Sequence, residues 1–275
     1  MSATLETVLE FLANLYHQKK AVNTINVHRS MLSETLPAVG GYKVGSHPLV
    51  KDLLSGCYNV NPPKPKSTST WDPSRVLFLF DSMEENGSLS LSELSHKTVT
   101  LIALTSLFRV SEIASINLNS LIFSSSGIHL SLLRPRKAQH SGPLQSIFIA
   151  RFSCLKRCPV AALEDYVNRT SQLRIENRMD SPLFIALIVP HAPVTANTIS
   201  RWIKTVLGLA GIDTSVFSAH STRGAAASSA AAKGISVDAI LKAGSWARES
   251  TFNRFYRKQV LETSVASAVL GEPVG

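Results

Sequence analysis

Three observations predict a mostly α-helical protein with a small antiparallel β-sheet, an α+β chain in two unequal parts. Apolar residues recur at helical spacing through most of the 275 residues. The texture changes after Gly127, where IHLSLL and LQSIFIA read as strands separated by RPRKAQHSGP with its Gly-Pro turn signal. The segment NPPKPKSTSTWDP, residues 61–73, crowds prolines ahead of a Ser/Thr run and cannot continue a helix. The expected parts are therefore a helical region over 1–60, a linker over 61–71 and a larger domain over 72–275.

In the first part, Leu5, Val8, Leu9, Leu12 and Leu15 line one face of a helix within residues 3–17. Asn23 or Thr24 caps a second helix through Ile25, His28, Met31 and Leu32, ending near Pro37 and the Gly40-Gly41 pair. Ser46-His47-Pro48 opens a short third helix, Leu49 to about Leu54.

In the second part, Asp72 as N-cap and Pro73 at N1 predict a helix carrying Val76, Leu77, Phe80 and Met83. The loop EENGS precedes another helix, from about Leu91 through Val99, Ile102 and Leu104. If that helix continues unbroken, Arg109 shares the apolar face of Ile102 and Ile113. A buried arginine wants an anion, and either a phosphate or an internal carboxylate such as Glu112 would serve. Arg134, Arg136 and Lys137 gather near the hairpin tip, which is either a solvated loop or a reach into a nucleic-acid groove. CPVAALEDYVNRT reads as a helix with Pro159 in its first turn, and SPLFIALI, 181–188, as a buried strand or extended stretch. Thr195 or Asn197 caps the next helix, whose stripe of Ile199, Trp202, Ile203, Val206 and Leu207 belongs to the core.

Composition narrows the partners. With 28 Lys and Arg against 19 Asp and Glu, the formal charge is +9 and the pI about 9.6, which favours nucleic acid first and an anionic membrane surface second. Both parts are positive, with seven basic and four acidic residues before Trp71 and twenty-one and fifteen from there on. No apolar run approaches the ~20 residues of a membrane span. Glu6 and Glu10 interrupt the first apolar pattern, which lacks the basic start of a signal peptide, so a soluble intracellular protein is expected. Cys57, Cys154 and Cys158 cannot all pair, and no further ligands stand at zinc-like spacing, so reduced thiols and no metal are expected.

The chemistry concentrates between Ser218 and Lys258. His220 and Arg223, if helical, are neighbours on one face and can address one phosphate. An alanine-rich helix follows and ends at Gly234, then Ser236 caps another that ends at Gly244. Trp246 lies in the turn beyond, and Phe252, Phe255 and Tyr256 share the next helical face among Arg254, Arg257 and Lys258. A cationic pair followed by a solitary tyrosine suggests covalent chemistry on a phosphodiester. The anionic oxygens of that group repel nucleophiles, and its transition state concentrates further negative charge. Free tyrosine, with a pKa of about 10, is ionised in roughly one molecule in a thousand at neutral pH, so a base and a cationic field are needed.

The residues from AHSTRGAA to GSWARESTFNRFYRK, with LTSLFRVSEI, RPRKAQ, PVTANTISRWIKTVLGLAGIDT, VGSHPLVKDLL and the linker, resemble the tyrosine recombinases of the phage integrase family, especially those of DIRS and Crypton mobile elements. The resemblance covers nearly the whole chain and implies a tyrosine-recombinase catalytic domain behind a small helical core-binding domain, here about sixty residues and shorter than is typical. It implies that Tyr256 is the nucleophile, giving a 3′-phosphotyrosyl enzyme and a free 5′-hydroxyl. Arg109 and Arg223 would hold the non-bridging oxygens, and His220 would assist proton transfer or bind the phosphate. Lys137 would protonate the leaving oxygen and Trp246 would donate its indole N–H.

The same resemblance implies double-stranded DNA as partner, a tetramer on two duplexes, no metal or other cofactor, and a nuclear protein if the host is eukaryotic, otherwise a cytoplasmic one. Lys64, Lys66, Arg134, Arg136, Arg254, Arg257 and Lys258 are the further expected DNA contacts. Two departures stand out. Many relatives carry histidine where this chain has Trp246, which can only donate, and glycine commonly precedes the first arginine where Ser106 and Leu107 stand. A DNA-binding protein that no longer cuts and a type IB topoisomerase are the alternatives.

Overall fold

The computed structural model describes residues 4–62, 70–137, 139, 141–174 and 181–255, and of residues 251, 254 and 255 the backbone alone. The chain divides into two compact units, residues 1–66 and 67–275.

The first unit is built on α1 (Leu5–His17), α2 (Val22–Thr35) and α3 (Pro48–Val60). Val8, Leu12, Leu15, Ile25, Val44, Val50 and Leu54 fill its core, so the stripe read from the sequence is the stripe that packs. The second helix starts ahead of the expected Asn23 or Thr24 cap. Ala21 takes the N-cap position with no side-chain bond, its carbonyl accepts from Thr24 and Ile25, and Val22 is buried, so packing outweighs capping there. The third helix runs past the expected Leu54 because Cys57 extends its buried face, and His47 caps it by accepting the Leu49 N–H on Nδ1 at 3.3 Å.

The second unit is mostly helical. It contains α4 (Ser74–Ser82), α5 (Leu91–Ser106) and α6 (Val110–Ala114), then a three-stranded antiparallel sheet in the order β1 (Ile122–Phe123), β2 (Gly127–Leu130), β3 (Ile147–Ala150). There follow α7 (Pro159–Thr170), α8 (Ala196–Leu209), α9 (Ser221–Ala232), α10 (Val237–Gly244) and α11 (Glu249–Phe255). The strands are shorter than IHLSLL and LQSIFIA suggested, and β1 adds an edge that the sequence pattern did not show. Asp72 caps from one residue further out than expected: its carboxylate accepts the Ser74 N–H at 2.9 Å while Pro73 holds the N-cap position. Residues 181–188 form the extended alternative rather than a strand, held by isolated bridges Asn117–Pro182 and Ile185–Pro193 and by the Ile185 N–H donating to Tyr166 Oη at 3.0 Å.

Helix α5 is the axis of this unit. A capping box starts it, with the Ser90 hydroxyl accepting the Glu93 N–H and the Glu93 carboxylate accepting the Ser90 N–H. Leu94, Val99, Leu101, Ile102 and Ala103 are buried, as are Ser95, Thr98, Thr100 and Ser106. Those hydroxyls tolerate burial because Ser95, Thr100 and Ser106 donate to carbonyls one turn back and Thr98 donates to the Ala162 carbonyl at 3.2 Å. A helix buried on all sides fixes the position of whatever stands at its C-terminal end, and Arg109 stands three residues beyond it. No helix among the described residues is long and apolar enough to cross a membrane.

Candidate active site

The helix does not continue unbroken to Arg109, so the condition for placing Arg109 on the apolar face of Ile102 and Ile113 is not met. Helix α5 stops at Ser106, and Leu107 takes a left-handed conformation with φ 54°. Two interactions set the break. The Ser106 hydroxyl donates to the Ile102 carbonyl at 2.6 Å and accepts the Phe108 N–H at 3.2 Å, while the Leu107 side chain is buried against Ala227, Ile240, Trp246 and Phe252. Leucine thus takes a turn that glycine enters without steric cost, and burial of its side chain offsets the strain. Arg109 becomes the N-cap of α6, about one-quarter exposed, instead of a member of a buried stripe.

Glu112 is the carboxylate that organises this turn. Its Oε1 accepts from Arg109 Nη1 at 2.6 Å, and its Oε2 accepts the Arg109 backbone N–H at 2.9 Å. The same Oε2 accepts from Arg136 Nη2 at 3.3 Å, so one carboxylate serves two guanidinium groups. Burial would raise the Glu112 carboxyl, but the Arg109 N–H, the charge and hydrogen bond of Arg136 and the charge of Arg109 outweigh it and hold it below the usual carboxylate range. Arg109 thus has the internal carboxylate Glu112 as partner, and the pair leaves the arginine partly open to solvent.

The expected gathering of Arg134, Arg136 and Lys137 at an exposed hairpin tip needs one correction. Arg134 and Lys137 are exposed in the β2–β3 connection, but Arg136 turns inward and only 4% of its side chain is accessible. Its guanidinium lies 5.1 Å from the Phe108 ring centroid, and Nη1 donates to the Ala243 carbonyl at 3.0 Å. The physical reason is a ready-made acceptor set: a carboxylate, an aromatic face and an unsatisfied carbonyl at the negative end of α10.

Arg223 is anchored on the next carbonyl of the same helix end. Its Nη2 donates to the Gly244 carbonyl, and its guanidinium stacks 4.2 Å from the Trp246 ring centroid. Gly244 is required by this packing, since a Cβ there would meet the Trp246 ring at 2.2 Å. Ser245, left-handed at φ 51°, turns the chain so that Trp246 folds back against α10 and packs on Phe252, ring centroids 5.6 Å apart. His220 is the N-cap residue of α9, in helical conformation and exposed, while Arg223 one turn on is fully buried. Trp71 braces this entry by donating its indole N–H to the Ser221 hydroxyl at 2.8 Å.

These contacts bring Arg109, Arg136, Arg223 and Trp246 into one continuous chain through Glu112 and the Ala243 and Gly244 carbonyls. Lys137 is next to Arg136 in sequence, and His220 is one helical turn from Arg223. Tyr256, Arg257, Lys258, Lys64 and Lys66 lie outside the described residues, as does the side chain of Arg254. Sequence reasoning missed the shared role of Glu112 and the inward turn of Arg136. The first had a signal, a carboxylate three residues after an N-cap position; the second had none, because its acceptors are far away in sequence, Glu112 24 residues before it and Ala243 107 after. No group of three or more candidate metal ligands occurs among the described residues.

A model of the phage integrase family matches residues 72–262. An integrase/recombinase XerD homolog of Selenomonas ruminantium is 25% identical over 260 residues, covering 93% of this chain and 74% of that protein. Among solved structures, the Tn1549 transposon integrase in complex with circular intermediate DNA superposes with TM-score 0.55 at 13% identity, covering 98% of this chain and 84% of that one. The XerH site-specific recombinase bound to a palindromic difH substrate superposes with TM-score 0.61 at 11% identity, covering 90% and 67%. Both structural matches show a common fold, helical with a small antiparallel sheet.

Proposed function

The chain belongs to the phage integrase family, and from that premise we propose that it is a site-specific recombinase of the mobile-element kind, cleaving and rejoining double-stranded DNA through a 3′-phosphotyrosyl intermediate. The observation that carries this reading is the chain of contacts joining Arg109, Arg136, Arg223 and Trp246, with Lys137 and His220 adjacent. That arrangement supports the reading because a dianionic transition state needs fixed cations close by.

In the proposed step the Tyr256 Oη attacks the scissile phosphorus. The new Oη–P bond forms as the P–O5′ bond breaks. The phenolic proton passes to His220 or to water, and the Lys137 ammonium gives a proton to the departing 5′-oxygen. Arg109 and Arg223 hold the non-bridging oxygens through planar forks whose charge persists at any working pH. Reversal with another strand's 5′-hydroxyl restores the phosphodiester and free tyrosine, so neither ATP nor metal enters the balance. Lys64, Lys66, Arg134, Arg254, Arg257 and Lys258 are assigned to the DNA backbone, where affinity would fall steeply with salt. The 1–60 region is assigned to binding the duplex as well, in a tetramer on two duplexes.

The test is a duplex carrying a nick beside the cleavage site, which traps the covalent state. A protein–DNA adduct stable to denaturant is expected, and its loss in Tyr256→Phe. An adduct that persists in that variant would overturn the nucleophile assignment. Tight binding with no adduct would instead mark a DNA-binding protein that no longer cuts, and plasmid relaxation without recombination a topoisomerase.

A further inference from the structure

Arg136 is the most heavily constrained cation near the site that the proposed reaction leaves unused. It comes from the β2–β3 connection, residues 131–146, which has no regular secondary structure in its described part. Yet its guanidinium is buried, and its contacts reach three separate elements: Glu112 on α6, the Ala243 carbonyl at the end of α10, and the Phe108 ring in the turn after α5. A surface arginine gains little from one exposed ion pair, whereas this one surrenders its hydration and rotamer freedom for a fixed position.

From this geometry we infer that Arg136 is a positioning residue that docks the β2–β3 connection and thereby places Lys137 beside the scissile phosphate. The inference rests on the recombinase reading above, in which Lys137 protonates the leaving oxygen. Lys137 is one peptide unit away, about 3.8 Å between Cα atoms. It is exposed where Arg136 is buried, so consecutive side chains divide the work of anchor and acid. The anchor also ties Lys137 to both phosphate-binding arginines: Glu112 binds Arg109 as well, and the carbonyl after Ala243 binds Arg223. Arg136, Gln145 and Ser146 of the docked connection line a cavity of about 820 Å³ together with Lys242 and Trp246. Lysine would replace the anchor only in part, since it lacks the planar fork that reaches carboxylate and carbonyl together.

The reaction supplies a readout that a merely structural role would not move. When sulfur replaces the bridging 5′-oxygen, the P–S5′ bond breaks to a thiolate, which needs no proton because thiols have a pKa of about 8.5. Cleavage of nicked duplexes with oxygen or sulfur at that position is measured for the full chain and for Arg136→Ala, Arg136→Lys and Lys137→Ala. General-acid loss is expected to slow Arg136→Ala about 100-fold on oxygen, with at least tenfold of that deficit recovered on sulfur and only partial rescue by Arg136→Lys. A deficit equal on both substrates, or none, overturns the inference. If Arg136→Ala does not fold, the oxygen-to-sulfur comparison in Arg136→Lys decides by the same tenfold criterion. Lys137→Ala separates the two levels: failure of sulfur to rescue it removes the Lys137 assignment itself, whereas its rescue without rescue at Arg136 removes only the positioning role.

Discussion

The two sides of the site hold their arginines by different physics. On the α6 side, Arg109 and Arg136 converge on the Glu112 carboxylate, a full charge largely removed from water. On the α9–α10 side, Arg223 is held by the Gly244 carbonyl and the face of Trp246, neither of which titrates. The first arrangement is strong but depends on a single ionised group. The second depends on shape, because the indole must lie flat where glycine leaves room for it. The difference teaches that one site can be broken either by removing a charge or by adding a methyl group.

Removing the charge is the larger effect. Glu112→Ala leaves two guanidinium groups without their shared carboxylate, one of them buried, and is expected to destabilise the protein by about 3–5 kcal/mol. Urea midpoints measure it, and adduct formation on nicked DNA should fall with them. Adding the methyl is next. Gly244→Ala drives a Cβ to 2.2 Å from the Trp246 ring and should cost about 1–3 kcal/mol of overpacking strain. Because the clash displaces the ring that stacks on Arg223, Trp246 fluorescence should shift and cleavage should fall in a protein that still folds. Unchanged cleavage in Gly244→Ala would show that the Arg223 side does not depend on that stack.

The same contrast explains what the sequence made legible. Local signals were read well: the stripes of α1 and α8, the Thr195 cap and the Cys158-Pro159 start all depend on neighbours within a turn. The order of Arg109, His220, Arg223 and Trp246 was also visible, as was Glu112 as a carboxylate within reach of Arg109. The break after Ser106 was marked only by the glycine that relatives commonly carry there, because a left-handed leucine defies its own backbone preference and is held by the Ser106 hydroxyl bonds and by burial against α9, α10 and α11. Arg136 was expected on an exposed tip, as a solvated loop cation or a DNA contact, because nothing local marks an arginine whose acceptors come from α6 and α10. Lys97 is likewise unmarked locally: it is wholly buried, and burial pushes its ammonium down. Tertiary context decides such residues, and it is absent from any short window of sequence.

The smallest predicted effect separates the two sides by pH. Glu112 has its carboxyl lowered in the folded protein, so its contribution to stability is fully present above the unfolded pKa of about 4.3 and is lost as pH falls through the lower folded value. The contacts of Arg223 with Gly244 and Trp246 contribute nothing to that window. Urea midpoints followed from pH 7 to pH 3 should therefore decline more steeply for the unsubstituted chain than for Glu112→Gln, which is weaker at neutral pH but has no proton to gain at this position. Gly244→Ala should run parallel to the unsubstituted chain, displaced downward by the same amount throughout. If Glu112→Gln instead kept the full acid slope, the pH dependence would belong to other carboxylates, and the α6 side would be held by geometry as the α9–α10 side is.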